Sequence, residues 1–196
     1  MKILTNIELI SVGNFRASLE FQHIYDEIRS AILTVSWADP YMFIINPVKR
    51  GNGVVPIKDN FIAHLLKNGW HSEVRMNIVK GMRPGPIDAI KQTSSGIVAV
   101  EWETGNISSS HRSLNKMAIG ILQKQIIAGF LVLPHKALAQ YLTDRVGNYE
   151  EIEPYFPLYA SLKIENGHIG VLGIEHDSVS GEVVLIPKGK DGNAIK

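Results

Sequence analysis

Residues 126–133 form an apolar run without a break, and this segment constrains the fold more than any other. A strand whose side chains are all apolar needs cover on both faces, which places it inside a sheet with helices on either side. Upstream, Leu114, Met117, Ala118, Ile121 and Leu122 recur at i, i+3, i+4, i+7 and i+8, the period of an amphipathic helix. Residues 15–37 read as another helix, with Leu19, Ile24, Ile28 and Ile32 spaced near four. Pro56, with Asp59 behind it, introduces a further helix holding Phe61, Ile62, Leu65 and Leu66 after the loop Gly51-Asn-Gly53. Arg83-Pro-Gly-Pro86 breaks the chain. Residues 86–92 and 97–103 read as strands joined by Thr93-Ser-Ser-Gly96, a β-hairpin. A short helix from Lys136, a loop through Asp144 and Arg145, a helix over 149–155 and a strand over 168–174 complete the pattern. Together they predict an α/β layered architecture, a single domain over residues 1–196 with an arm from about residue 186.

Composition narrows the chemistry. With no cysteine there is no disulfide framework, thiolate nucleophile or cysteine-based zinc site. The start Met1-Lys-Ile-Leu-Thr5 has no signal-peptide pattern, and no apolar run approaches the roughly 20 residues that span a bilayer, so a cytoplasmic location is expected. A net charge of +1 does not announce a nucleic-acid binder. Its distribution is more informative: residues 106–125 carry Arg112, Lys116 and Lys124 and no acid, whereas Glu150, Glu151 and Glu153 crowd one short stretch. That asymmetry fits a basic face turned to phosphate, and equally two solvated helix faces of opposite sign.

Three acids stand out on the hairpin. Side chains alternate along a strand, so Glu101 and Glu103 share a face with Ile97 and Ala99, while Val98, Val100 and Trp102 take the other. Symmetric closure over Thr93-Ser-Ser-Gly96 pairs Gln92 with Ile97 and sets Asp88 opposite Glu101. Clustered carboxylates raise one another's pKa unless a cation intervenes, and hard oxygen ligands suit Mg²⁺. A second reading leaves one acid solvated and pairs another with a basic neighbour such as Lys91. Beyond Glu103, a small, polar segment opens a helix, which is an anion site and supplies residue types that read base edges. An ordinary N-cap on Asn106 or Ser108 would use the same residues.

The segment Glu101-Trp-Glu-Thr-Gly-Asn-Ile-Ser-Ser-Ser-His-Arg-Ser-Leu-Asn-Lys116 resembles the BamHI family of type II restriction endonucleases. So do Asn52-Gly-Val-Val-Pro-Ile-Lys58, Gly85-Pro-Ile-Asp88 and Tyr141-Leu-Thr-Asp-Arg-Val146. Glu150-Glu-Ile-Glu-Pro-Tyr-Phe156 and Leu185-Ile-Pro-Lys-Gly-Lys-Asp-Gly192 continue the series, which runs in family order from about residue 16 onward. The resemblance implies the restriction-endonuclease-like fold of PD-(D/E)XK type, a central mixed β-sheet flanked by α-helices, acting as a homodimer on palindromic double-stranded DNA. It implies Mg²⁺ on Asp88, Glu101 and the Trp102 carbonyl, with Glu73 as a further acid of the catalytic centre. Glu103 stands where most relatives on this fold have lysine, but where the BamHI family has glutamate, as general base toward the attacking water. Lys58, Asn106, Ser108, Arg112, Asp144 and Arg145 match DNA-contacting positions. The implied target is GGATCC, cut after the first G, with a methyltransferase protecting the same sequence in the host.

Two departures accompany the match. The family continues past the Asp-Gly block into a basic helix that this sequence is expected to lack, leaving Asp191, Gly192 and Asn193 as an arm toward the minor groove. Leu122, Gln123 and Pro157 replace polar or charged residues in the family's dimer region, predicting a more apolar contact. Two alternatives stay open: a sequence-relaxed or structure-directed nuclease of the same fold, and a sequence-specific DNA-binding protein without chemistry.

Overall fold

The computed structural model describes residues 1–76 and 85–189. The expected break at Arg83 and Pro84 and the arm residues Asp191, Gly192 and Asn193 lie outside those residues. Strand β1 (Lys2–Val12) leads into helix α1 (Leu19–Leu33), strand β2 (Ile44–Ile45) and helix α2 (Val55–Lys67). Strands β3 (His71–Val74), β4 (Ile87–Gln92) and β5 (Ile97–Trp102) precede helix α3 (Ile107–Leu122) and strand β6 (Ala128–Pro134). Helices α4 (Lys136–Ala139), α5 (Tyr149–Ile152) and α6 (Phe156–Ala160) are short, and strands β7 (Gly167–Glu175) and β8 (Ser178–Val179) follow.

The main sheet has the order β1-β7-β6-β5-β4-β3. β5, β6 and β7 run parallel, while β1, β4 and β3 are antiparallel to their neighbours, so the sheet is mixed. Every residue of β6 is buried, as the unbroken apolar run requires of a strand with helices on both faces. One face packs Phe21, Ile28 and Ile32 of α1 and Phe61 and Leu65 of α2 against Val98, Val100, Trp102 and Phe130. On the other, Leu114, Met117 and Ile121 of α3 join Ile152, Phe156 and Tyr159 over Ala99, Leu131 and Ile169. The chain is therefore an α/β fold with a central mixed sheet between helical layers.

Local chemistry sets the boundaries. Ser18 caps α1 by accepting from the Phe21 amide at 3.1 Å. A short 3-10 turn at Phe15–Ala17 comes first, so Leu19 opens the helix pointing outward, 74% exposed, and the buried stripe starts at Phe21. Leu66 and Leu122, which belong to the apolar period of their helices, are likewise exposed. The hairpin closes in the expected register, Gln92 opposite Ile97 and Ala89 opposite Val100.

His168 of β7 is 2% exposed, with its ring 4.8 Å from that of Phe21 and 5.1 Å from that of Phe130. Burial pushes its pKa down to about 4, against an opposing pull from Glu8. The unfolded chain therefore binds a proton that the folded chain refuses, so this contribution to stability is complete above about pH 6.5 and fades as pH falls toward 4. The lost amount is roughly 3 kcal/mol. Glu101 works in the opposite sense over much of this window, so the readout is a difference: His168→Leu should gain on wild type by about 2 kcal/mol between pH 7 and pH 4.5 in urea melts. Parallel pH profiles would contradict it.

Candidate active site

Antiparallel pairing brings the start of β4 and the end of β5 to one place, and Asp88 lies across from Glu101, one step beyond the last ladder pair. The Asp88 amide donates to Glu101 Oε2 at 3.3 Å, and Asp88 Oδ2 accepts from the Trp102 amide at 2.8 Å. Both carboxylates are buried. Glu103 follows the strand; its amide donates to the Val132 carbonyl at 2.8 Å and its Oε1 accepts from Ser113 Oγ at 2.6 Å.

Two lysines answer the charge. Lys58 Nζ lies 2.6 Å from Asp88 Oδ1 and 3.8 Å from Glu73 Oε1. Lys116 contacts Glu101 Oε1 and donates to the Pro86 carbonyl at 2.8 Å. Lys91 points to the opposite face and pairs with Glu27 of α1 at 2.7 Å, so it does not answer the cluster. Burial, reinforced by Asp88, pushes the Glu101 carboxyl up to about 7 despite Lys116. Glu103 is raised as well, by burial first, against the bond from Ser113. Lys58 is held charged: burial opposes its charge, but Asp88 and Glu73 outweigh it.

These groups line a cleft of about 1250 Å³. Lys58, Glu73, Asp88, Glu101, Trp102, Glu103, Asn106, Arg112, Asp144 and Arg145 all border it. Ser108 is exposed and does not; Ser109 does, and accepts from Arg112 Nη2 at 3.1 Å. Asn106 caps α3 through Oδ1, accepting from the Ser109 amide at 3.2 Å. The amide of Gly147 donates to the Gly105 carbonyl at 2.8 Å, and a Cβ at Gly147 would meet Ile107 backbone at 2.8 Å. Only glycine lets the loop carrying Asp144 and Arg145 lie this close to the start of α3. Asp144 pairs with Arg50 at 3.2 Å. Glu73 is largely exposed and sits in the left-handed region (φ 54°). Lys188 borders the cleft because residues 186–188 dock on the 52–53 loop, where a Cβ at Gly53 would lie 1.9 Å from the Pro187 carbonyl.

Sequence reasoning missed Lys116, Ser113 and Arg50 as parts of this site. The available signal was Lys116 one turn from Ser113 beside the buried stripe of α3, a position where an unpaired lysine would be costly. Among the described residues no group of three or more His, Asp or Glu side chains forms a metal cage. Asp88 and Glu101 together supply what a hard divalent cation asks of protein, one or two carboxylates with the remaining positions left to water and phosphate.

The family model described as "Restriction endonuclease BamHI" matches residues 1–193. The chain is 51% identical over 174 residues to the type II restriction enzyme OkrAI of Oceanobacter kriegii, covering 88% of this chain and 90% of that protein. Identity to the type II restriction enzyme BamHI of Bacillus amyloliquefaciens is 39% over 181 residues, covering 87% and 82%. In fold it is similar to the restriction endonuclease BglII in complex with a DNA 16-mer, with a TM-score of 0.64 at 12% identity, over 90% of this chain and 79% of that one. Free BglII gives a TM-score of 0.53 at 14% identity, over 90% and 81%. A family match along nearly the whole sequence, with carboxylates converging in one cleft, places the chain in the BamHI restriction endonuclease family.

Proposed function

We propose that this chain is a type II site-specific deoxyribonuclease that hydrolyses double-stranded DNA at a palindromic hexamer, GGATCC, after the first G, with Mg²⁺. One observation carries the reading: Asp88 and Glu101 meet at a hairpin end beside Glu103, in a cleft whose other walls are the first turns of α3 and the 143–145 loop. Asp88 and Glu101 hold the cation, joined by the Trp102 carbonyl and Glu73. When bound, that cation supplies Lewis acidity and neutralises charge on the scissile phosphate. Glu103, whose affinity for protons is raised by burial, takes a proton from the attacking water. Lys58 stands beside Asp88 at the DNA side of the cleft.

Recognition falls to the opposite wall. Asn106 and Arg112 at the start of α3 meet the DNA, with Ser108 contacting it from outside the cleft, while Asp144 accepts from cytosine N4 and Arg145 donates twice to guanine. An arm with Asp191, Gly192 and Asn193 follows the docked Lys188. A homodimer matches the two-fold symmetry of the site. The exposure of Leu122, Gln123 and Pro157 supports an apolar contact there, together with exposed Tyr155 and Leu158. A methyltransferase of the same specificity protects the host DNA.

Incubating supercoiled plasmid with and without Mg²⁺, then sequencing the ends, tests the assignment; metal-independent cutting or ends unrelated to GGATCC would refute it. Arg145→Ala should cost about 1–3 kcal/mol of discrimination at the guanine it reads. Competition binding against one-base variants measures this, and an equal loss on every sequence would assign Arg145 to phosphate instead.

A further inference from the structure

We propose that Ser113 is a positioning residue for Glu103, through which the DNA-facing helix α3 sets the geometry of the base; the inference rests on the role given to Glu103 above. Glu103 lies just past β5, where the strand no longer dictates its side chain. Its backbone is tied to Val132, but a free glutamate side chain would still sample several rotamers. Ser113 removes that freedom with a 2.6 Å bond to Oε1.

Among the described residues the hydroxyl makes no other side-chain hydrogen bond. Ser113 borders the cleft but is only 2% exposed, with its hydroxyl turned to Glu103 rather than offered to solvent. A serine inside a helix commonly turns its hydroxyl back to a carbonyl one turn earlier, whereas this one reaches across to Glu103. The same helix carries Asn106 and Arg112 at its cleft end, and Lys116 on Glu101 one turn beyond Ser113. A shift of α3 on engaging DNA is therefore transmitted directly to the carboxylate. Charge-assisted bonds of this kind are short and directional, and hence suited to positioning.

Steady-state cleavage of a GGATCC duplex by the purified protein with Mg²⁺, beside gel-shift binding to the same duplex in EDTA, tests the proposal. Ser113→Ala should lower kcat roughly 10–100-fold, the range seen when a residue supporting a site ligand is lost, with KM and metal-free DNA affinity within about twofold of wild type. Ser113→Thr, which keeps the hydroxyl, should restore most of the rate. Wild-type kcat in Ser113→Ala would overturn the proposal. So would metal-free DNA affinity that falls along with kcat, because the residue would then merely shape α3. A Thr variant that melts like wild type yet cuts as slowly as the Ala variant would overturn it too. Wild-type protein that leaves the duplex intact would instead remove the proposed GGATCC target, on which this test depends.

Discussion

Glu101→Ala is expected to stop cleavage, slowing it by roughly a thousandfold or more while specific DNA binding survives. The carboxylate is buried beside Asp88 at the end of the hairpin, whereas base reading is proposed for other walls of the cleft, the first turns of α3 and the 143–145 loop. Its loss removes one of the two buried carboxylates proposed to hold the cation, yet leaves the proposed recognition wall in place. The substitution has a second cost, because Lys116 is 5% exposed at its side chain and would lose its carboxylate partner. Stranding a buried ammonium destabilises by about 3–5 kcal/mol. The double variant Glu101→Ala with Lys116→Met should therefore regain much of the stability and none of the activity. Plasmid linearisation, gel shift and urea melts on both variants check this; linearisation by Glu101→Ala at the normal rate would dismiss the assignment of Glu101.

Glu103→Gln should lower the single-turnover rate by about 10²–10⁴-fold, the usual range for losing a general base. Glutamine fills the same space and still accepts from Ser113 through its carbonyl oxygen, but it takes no proton from water at neutral pH. Mg²⁺ dependence should keep its midpoint, since Asp88 and Glu101 are untouched. A shifted Mg²⁺ midpoint with an unchanged maximal rate would make Glu103 a metal ligand rather than a base.

Much of this arrangement is legible in the sequence, for identifiable reasons. The hairpin register follows from a short turn between two runs of period two, and it carries Asp88 to Glu101 without further information. The buried strand β6 announced itself because central strands lose their polar face. β1 was not visible, because irregularities at Ile3/Thr5 and Glu8/Ile10 break its alternation. β2 and β8 have two residues each, too few for any period to show.

Charge pairing was the least legible feature. Lys91 is close to Asp88 in sequence, but an odd separation along a strand sends it to the other face, where Glu27 of α1 waits. Lys58 and Lys116 reach the acids from two different helices, which only tertiary packing reveals. Glu73 carries no local signal at all and enters through the family resemblance alone.

The lysine partners bear on how this protein lives before it meets its cofactor. Asp88 and Glu101 each face an ammonium group, and Glu101, pushed up to about 7, can also take a proton near neutrality, so the pair does not need a divalent ion to be tolerated in a folded chain. In small zinc domains the ion is part of the folding free energy and a chelator unfolds the protein. Here lysines already stand against both acids, so the proposed nuclease would not need the ion to fold and could be assembled, stored and allowed to search DNA in a silent state until the ion arrives.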